Sequence, residues 1–136
     1  MIQTKGVYHI GIPVDDPERA QKFYTEVLGM QLVSLQRDDM GDKLARVELR
    51  TGDDIVVLFE RPKRLDKDAV KEDGATHQAF MVEDHDFELA VKHMREWGVK
   101  IHNIPTVERP SGRGLYFFDS EGNLLQLYAR PKPQHQ

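Results

Sequence analysis

The sequence contains no cysteine among its 136 residues, which excludes disulfide bonds, thiolate metal sites and cysteine nucleophiles. Any metal site must therefore use histidine, carboxylate, amide or water ligands, a donor set that suits Zn, Fe, Mn, Ni or Co. The chain also lacks an excess of basic residues, since 19 Lys and Arg stand against 23 Asp and Glu, giving a formal net charge of −4. We therefore expect no nucleic-acid partner.

Long hydrophobic runs are missing as well. No stretch approaches the roughly 20 apolar residues of a membrane span, and residues 1–11 lack the apolar core of a signal peptide. These absences predict a cytoplasmic protein with no membrane contact. A chain of 136 residues is long enough to form one domain around a hydrophobic core.

A repeat is the most informative feature that is present. Residues 8–29 and 76–98 each carry an early histidine, an alternating strand pattern, an acidic pair, an amphipathic helix pattern and a closing glycine. His9 corresponds to His77 (77 − 9 = 68) and Gly29 to Gly98 (98 − 29 = 69). A nearly constant offset of this size indicates a duplicated supersecondary unit. The duplication gives two histidines equivalent positions, from which both imidazoles can reach a shared centre.

Each repeat predicts a strand, a helix and three further strands. The predicted strands are 7–14, 30–37, 44–51 and 54–61 in the first repeat, and 76–83, 99–107, 114–119 and 123–129 in the second. Asp16 and Asp84 are the predicted helix caps. We predict an α+β fold of two tandem βαβββ modules, 5–61 and 75–130, joined by a charged linker at 62–74 within a single domain, 1–136.

Two such modules resemble the vicinal oxygen chelate superfamily, which comprises glyoxalases, bleomycin resistance proteins and extradiol dioxygenases. The most specific stretches are VYHIGIPVDDPERAQKFYTEVLGM at 7–30 and GLYFFDSEGNLLQLY at 114–128. The resemblance implies that the modules form a half-open barrel-like curved mixed sheet around one metal, with the helices outside. It also implies a homodimer, and exposed sheet edges agree with pairing.

The resemblance implies four ligand positions, on the first and last strands of each module. They fall on His9, Val57, His77 and Gln126. Val57 cannot bind a metal. The resemblance allows for this loss, because some members of the superfamily hold the metal with only three side chains, two His and one Glu. Gln126 can coordinate through its amide oxygen but adds no negative charge, so the site should hold a divalent cation weakly. The alternative for both histidines is a structural role in the barrel wall. The remaining histidines, His85, His93, His102 and His135, are expected to face solvent.

Two more side chains are candidate catalytic groups. Alternation in strand 44–51 places Glu48 opposite the apolar residues of that strand, either as a base or carboxylate near the metal or as part of a solvated face. Tyr116 precedes Gln126 by ten residues (126 − 116 = 10), where the resemblance implies a phenol that contacts substrate. Its alternative role is that of a core aromatic.

Two functions remain open at this point. The first is a metal-dependent enzyme that acts on a small substrate with adjacent oxygens, by ring-cleaving dioxygenase or by lyase or isomerase chemistry. The second is a non-catalytic, antibiotic-type binding or resistance protein that needs no metal. His9 and His77 favour the enzyme, whereas the missing carboxylates at Val57 and Gln126 favour the binding protein and argue against a glyoxalase I.

Overall fold

Two compact units make up the chain, Met1–Arg64 and Leu65–Gln136. The computed structural model describes residues 1–62 and 77–131, without the side chains of 103–107. Apart from Pro62, the linker predicted at 62–74 lies outside the described residues, as does His135. In the described part of the chain, no helix is long and apolar enough to cross a membrane.

Both units have the predicted order of strand, helix and three strands. The first unit contains β1 (Ile10–Val14), α1 (Pro17–Lys22) continued by a π-helical turn (Phe23–Val27), β2 (Gln31–Arg37), β3 (Leu44–Thr51) and β4 (Asp54–Glu60). The second contains β5 (Gln78–Val82), a 3-10 turn (Asp84–Asp86), α2 (Phe87–Glu96), β6 (Ile101–Arg109), β7 (Gly112–Phe118) and β8 (Leu124–Ala129). The α+β class and the two βαβββ modules are therefore confirmed.

The two sheets share one mixed topology. Their strand orders are β1-β4-β3-β2 and β5-β8-β7-β6. In each sheet the first strand runs parallel to the last strand of its module, and the other neighbours are antiparallel. A parallel neighbour requires a crossover, and the helix and two intervening strands of each module supply it. The first and last strands of each module thus lie side by side.

The apolar face of the first sheet forms a core with the helix. Val14, Leu49 and Val56 are fully buried on three different strands, and α1 packs against β3 and β4. Ala20 and Tyr24 fill the helical side of this core. Because side chains alternate across a strand, the residues between these apolar positions project from the opposite face of the sheet.

The helix starts differ between the units, although the sequence predicted the same cap for both. Asp16 caps α1 as predicted, accepting hydrogen bonds from the backbone N–H groups of Glu18 and Arg19. Asp84 does not cap α2, because the chain first makes a 3-10 turn. Its carboxylate instead pairs with Arg113 of β7, with Nε 3.2 Å from Oδ1. The predicted cap at Asp84 is therefore wrong.

A buried ion pair joins the ends of β1 and β4. Arg61 Nε lies 3.0 Å from Asp15 Oδ1, with side-chain exposures of 7% and 10%, and the Arg61 guanidinium also donates to the carbonyl of Pro13 at 2.7 Å. Removing one member of a buried pair leaves the other charge without compensation. Asp15→Ala should therefore lower the free energy of unfolding by about 3 kcal/mol, measured by urea denaturation.

The matched control is the pair between Lys43 and Glu60. The carboxylate of Glu60 raises the pKa of Lys43 by hydrogen bonding and charge attraction, but the Lys43 side chain is 57% exposed. Water and salt screen such a contact, so Lys43→Met should cost far less than Asp15→Ala. Equal losses in the two variants would contradict the structural role assigned to the buried pair.

Candidate functional site

His9 and His77 occupy equivalent positions at the edge of each module. Both were predicted to lie inside their first strands, at 7–14 and 76–83, but each lies immediately before its strand, since β1 begins at Ile10 and β5 at Gln78. His9 is exposed and His77 is half-buried. The strand starts thus shift by three residues in the first unit (10 − 7 = 3) and by two in the second (78 − 76 = 2), and both histidines keep equivalent positions.

The register of the two sheets shows a second equivalence. In the first unit Gly11 pairs with Val57, Val57 with Glu48, and Glu48 with Ser34. In the second unit Ala79 pairs with Gln126, and Gln126 with Tyr116. Residues paired across strands project from the same face of a sheet. We call these sets the Val57 row (Gly11, Val57, Glu48 and Ser34) and the Gln126 row (Ala79, Gln126 and Tyr116).

The two predicted catalytic residues are therefore counterparts of each other. Glu48 and Tyr116 differ by 68 positions (116 − 48 = 68), and Val57 and Gln126 by 69 (126 − 57 = 69). Each holds the same place in its row. The sequence singled out these four positions one by one, but their pairing across strands follows only from the register.

Gln126 is buried, with 6% of its surface exposed. Its amide lies against Gly114, where an added Cβ would stand 2.3 Å from Gln126 Nε2. The missing side chain at Gly114 thus provides the space into which the amide folds. Val57, its counterpart, is only 3% exposed and carries no donor atom, so the Val57 row offers no metal ligand at this position.

Tyr116 connects the other two candidates of the second unit. Its ring meets His77 edge to face, with centroids 5.1 Å apart and planes at 82°, and it pairs directly with Gln126 across β7 and β8. Tyr116 is 4% exposed. The structure therefore gathers His77, Tyr116 and Gln126 on one face of the second sheet.

Glu48 lies in a more open environment than Tyr116. It is half-buried, and its carboxylate accepts a hydrogen bond of 3.0 Å from the Ser34 hydroxyl. Val47 and Leu49 on either side of it are fully buried on the opposite face, which agrees with the predicted alternation. A carboxylate held by one hydroxyl retains acceptor capacity for a proton from another molecule.

His102 was expected to face solvent, and that prediction is wrong. Only 6% of its surface is exposed, and its ring lies 6.0 Å from that of Tyr116 and 5.9 Å from that of Phe118. Of the other histidines, His85 is exposed and His93 is half-buried beside Trp97. The repeat gave no signal for this burial, because the counterpart of His102, Ser34 (102 − 34 = 68), is exposed.

The donor set for a metal is short of carboxylates. Among residues 1–62 and 77–131, no group of three or more His, Asp or Glu side chains is arranged to hold a metal ion. The predicted ligands are His9 in the first unit and His77 and Gln126 in the second. Two imidazoles and an amide are chemically suited to a first-row divalent ion, but they leave its full charge uncompensated.

Duplicated βαβββ modules of mixed sheet, with a histidine at the start of each, define the class of protein. The family profile described as Glyoxalase/Bleomycin resistance protein/Dioxygenase superfamily matches residues 6–127. The chain belongs to this superfamily.

One protein of known name and one crystal structure are similar to this chain over most of its length. A glutathione transferase FosA from Serratia marcescens is 28% identical over 120 residues, which cover 88% of this chain and 77% of the relative. A glyoxalase/dioxygenase crystal structure from Nostoc punctiforme is 27% identical with a TM-score of 0.75, covering 94% of this chain and 92% of that one.

A third similar structure is a fosfomycin resistance protein, FosX, from Listeria monocytogenes, complexed with Mn(II) and sulfate. It has a TM-score of 0.73 at 18% identity, covering 96% of this chain and 94% of that one. At this identity the likeness shows the fold alone.

Proposed function

We propose that this protein is a metal-dependent enzyme that acts on a small substrate with adjacent oxygens. The observation that carries the proposal is the convergence of His77, Tyr116 and Gln126 on one face of the second sheet. The metal ligands are His9, His77 and Gln126, and the Mn(II) bound by the FosX relative supports a divalent ion. Candidate ions are Fe, Mn, Zn, Ni and Co.

A bound ion of this kind supplies Lewis acidity to substrate oxygens that coordinate it. The chain's own residues have distinct tasks in the proposal. Tyr116 donates a hydrogen bond from its phenolic hydroxyl to a substrate oxygen. Its ring lies beside His77, which places the phenol next to a proposed metal ligand. Glu48 moves a proton as general base, with Ser34 fixing one of its oxygens.

Three reaction classes compete within this proposal. Ring-cleaving dioxygenase chemistry and lyase or isomerase chemistry are the two that the sequence suggests. The name of the FosA relative adds a third, the transfer of glutathione to a small molecule. In the proposal, the substrate of each class offers two adjacent oxygens to one metal.

The first test is metal content followed by turnover. Protein purified without chelator should contain a divalent metal at partial occupancy by mass spectrometry, because its ligands carry no charge. Mn(II)-loaded protein is then assayed with fosfomycin plus glutathione, fosfomycin alone, catechol plus oxygen, and methylglyoxal plus glutathione. Tyr116→Phe should lower kcat about 30-fold on the reactive substrate.

The control for this assay is Trp97→Phe, because Trp97 is 49% exposed, packs beside His93 rather than a proposed ligand, and lies outside both rows. The alternative function, a metal-free binding protein, is favoured by the buried, donorless Val57. Binding of fosfomycin or bleomycin by metal-free protein is measured by calorimetry. Binding without turnover of any substrate would contradict the enzyme proposal and support the binding function.

We also propose a homodimer, while a cytoplasmic location stays a prediction. The edge strand β2 exposes Leu32, Val33 and Leu35 at 44–45%, and an apolar edge strand is a ready site for pairing. Sedimentation should give a dimer at micromolar concentration, and Leu35→Lys should shift it toward monomer while Gln31→Lys does not. A monomer at high micromolar concentration would contradict this.

A further inference from the structure

His102 is a buried histidine that the proposed chemistry does not use. It lies on β6, and its ring contacts those of Tyr116 and Phe118. Phe118 is itself covered by Lys100, whose Nζ lies 5.2 Å from the ring centroid. His102 is therefore held between neighbours, and its imidazole has little freedom to leave the Tyr116 ring.

The same arrangement occurs in the first unit with different chemistry. Ser34 precedes His102 by 68 positions (102 − 34 = 68), as Glu48 precedes Tyr116 (116 − 48 = 68). Ser34 pairs with Glu48 across β2 and β3 and donates a hydrogen bond to it. In both modules, the strand after the helix thus supplies a polar side chain that touches the candidate catalytic residue of the next strand.

Two histidine rings contact the Tyr116 ring. His77 meets it at an interplanar angle of 82° and His102 at 59°. Aromatic rings in contact at such angles attract through the negative face of one and the positive edge of the other. A tyrosine has only two side-chain torsions to fix, so two ring contacts are enough to direct its hydroxyl.

We propose that His102 is a positioning residue for Tyr116, which holds the phenol in the orientation needed at the site of His77 and Gln126. The positioning itself rests on contacts within the second unit, whereas its effect on a reaction rests on the proposed function. His102 touches neither substrate nor metal in this proposal. It acts only through the Tyr116 ring.

A spectroscopic experiment tests the positioning without any assay of activity. The protein is labelled with 3-fluorotyrosine, and the Tyr116 signal among the four tyrosines is assigned from its loss in Tyr116→Phe. His102→Leu should move and narrow this fluorine resonance as the ring gains freedom, and His102→Phe should keep it closer to its original position. The matched control His93→Leu, a half-buried histidine beside Trp97, should leave it unchanged. An unaltered Tyr116 resonance in His102→Leu would overturn the proposal.

A kinetic cycle distinguishes positioning from a merely structural role. With the substrate found for the proposed function, His102→Leu should lower kcat about tenfold with little change in KM, and it should have no further effect in a Tyr116→Phe background. An equal loss in both backgrounds would show that His102 acts independently of Tyr116. If Mn(II)-loaded protein turns over no substrate, the proposed function fails, and the fluorine spectrum alone decides the role of His102.

Discussion

Gln126→Glu should raise the affinity of the protein for Mn(II) by about 30-fold, close to 2 kcal/mol. The variant places a carboxylate where a buried amide now lies, at the ligand position proposed for Gln126. A charged oxygen donor compensates the cation, which two imidazoles and an amide do not. Isothermal titration calorimetry of metal-stripped protein measures the change directly.

A charge control and two histidine variants show whether the change in affinity is specific to the proposed site. Gln31→Glu adds the same charge on the exposed strand β2 and should alter Mn(II) affinity less than twofold, because exposed charges are screened over about 10 Å. His77→Ala and His9→Ala should each remove detectable binding while leaving the circular dichroism spectrum intact. Should Gln126→Glu leave affinity unchanged or lower it, Gln126 is not a ligand, and the metal-free binding function becomes the better account.

Gly112→Ala should be the most destabilising glycine-to-alanine change among residues 77–131, with a loss of about 3 kcal/mol in the free energy of unfolding. An added Cβ would lie 2.1 Å from the carbonyl oxygen of Ala129, a backbone atom of the neighbouring strand β8. Gly112 also has a φ of 141°, a conformation that residues with a Cβ rarely adopt. Ala129 pairs with Arg113 in the β7–β8 ladder, which also carries Tyr116 and Gln126, so a shift that relieved the collision would disturb this ladder.

The control for Gly112→Ala is Gly52→Ala. Gly52 also has a positive φ, 58°, but an added Cβ would meet nothing within 4 Å. Only the cost of the left-handed backbone applies there, about 1 kcal/mol. Urea denaturation of the two variants separates steric collision from backbone strain, and equal losses would show that the close approach to Ala129 is relieved elsewhere.

Local patterns in the sequence predicted the fold. Alternation along a strand and the spacing of apolar residues along a helix depend on the geometry of a few consecutive residues. For this reason the βαβββ order and the burial of Val47 and Leu49 beside Glu48 followed from the sequence. The offset of 68 to 69 residues likewise predicted that the two modules have equivalent structures, because duplicated units fold alike.

Contacts between distant residues were less predictable. Asp16 and Asp84 occupy equivalent positions, yet of the two only Asp16 caps a helix. The chain makes a 3-10 turn at Asp84–Asp86, and the Asp84 carboxylate pairs with Arg113 instead. No pattern within residues 84–98 contains that arginine. A local cap and a distant ion pair compete for the same carboxylate, and only the folded chain decides between them.

The candidate site divides in the same way. The sequence, through its family resemblance, predicted His9, His77 and Gln126 as metal ligands. It excluded Val57 by itself, since donor atoms belong to residue types. Only the tertiary structure showed that Tyr116 packs against His77, that Gly114 leaves room for the Gln126 amide, and that His102 is buried beside the phenol. These three facts depend on cross-strand register. Register is set by pairing between segments that lie far apart in the chain, so it is not encoded in any short pattern of residues.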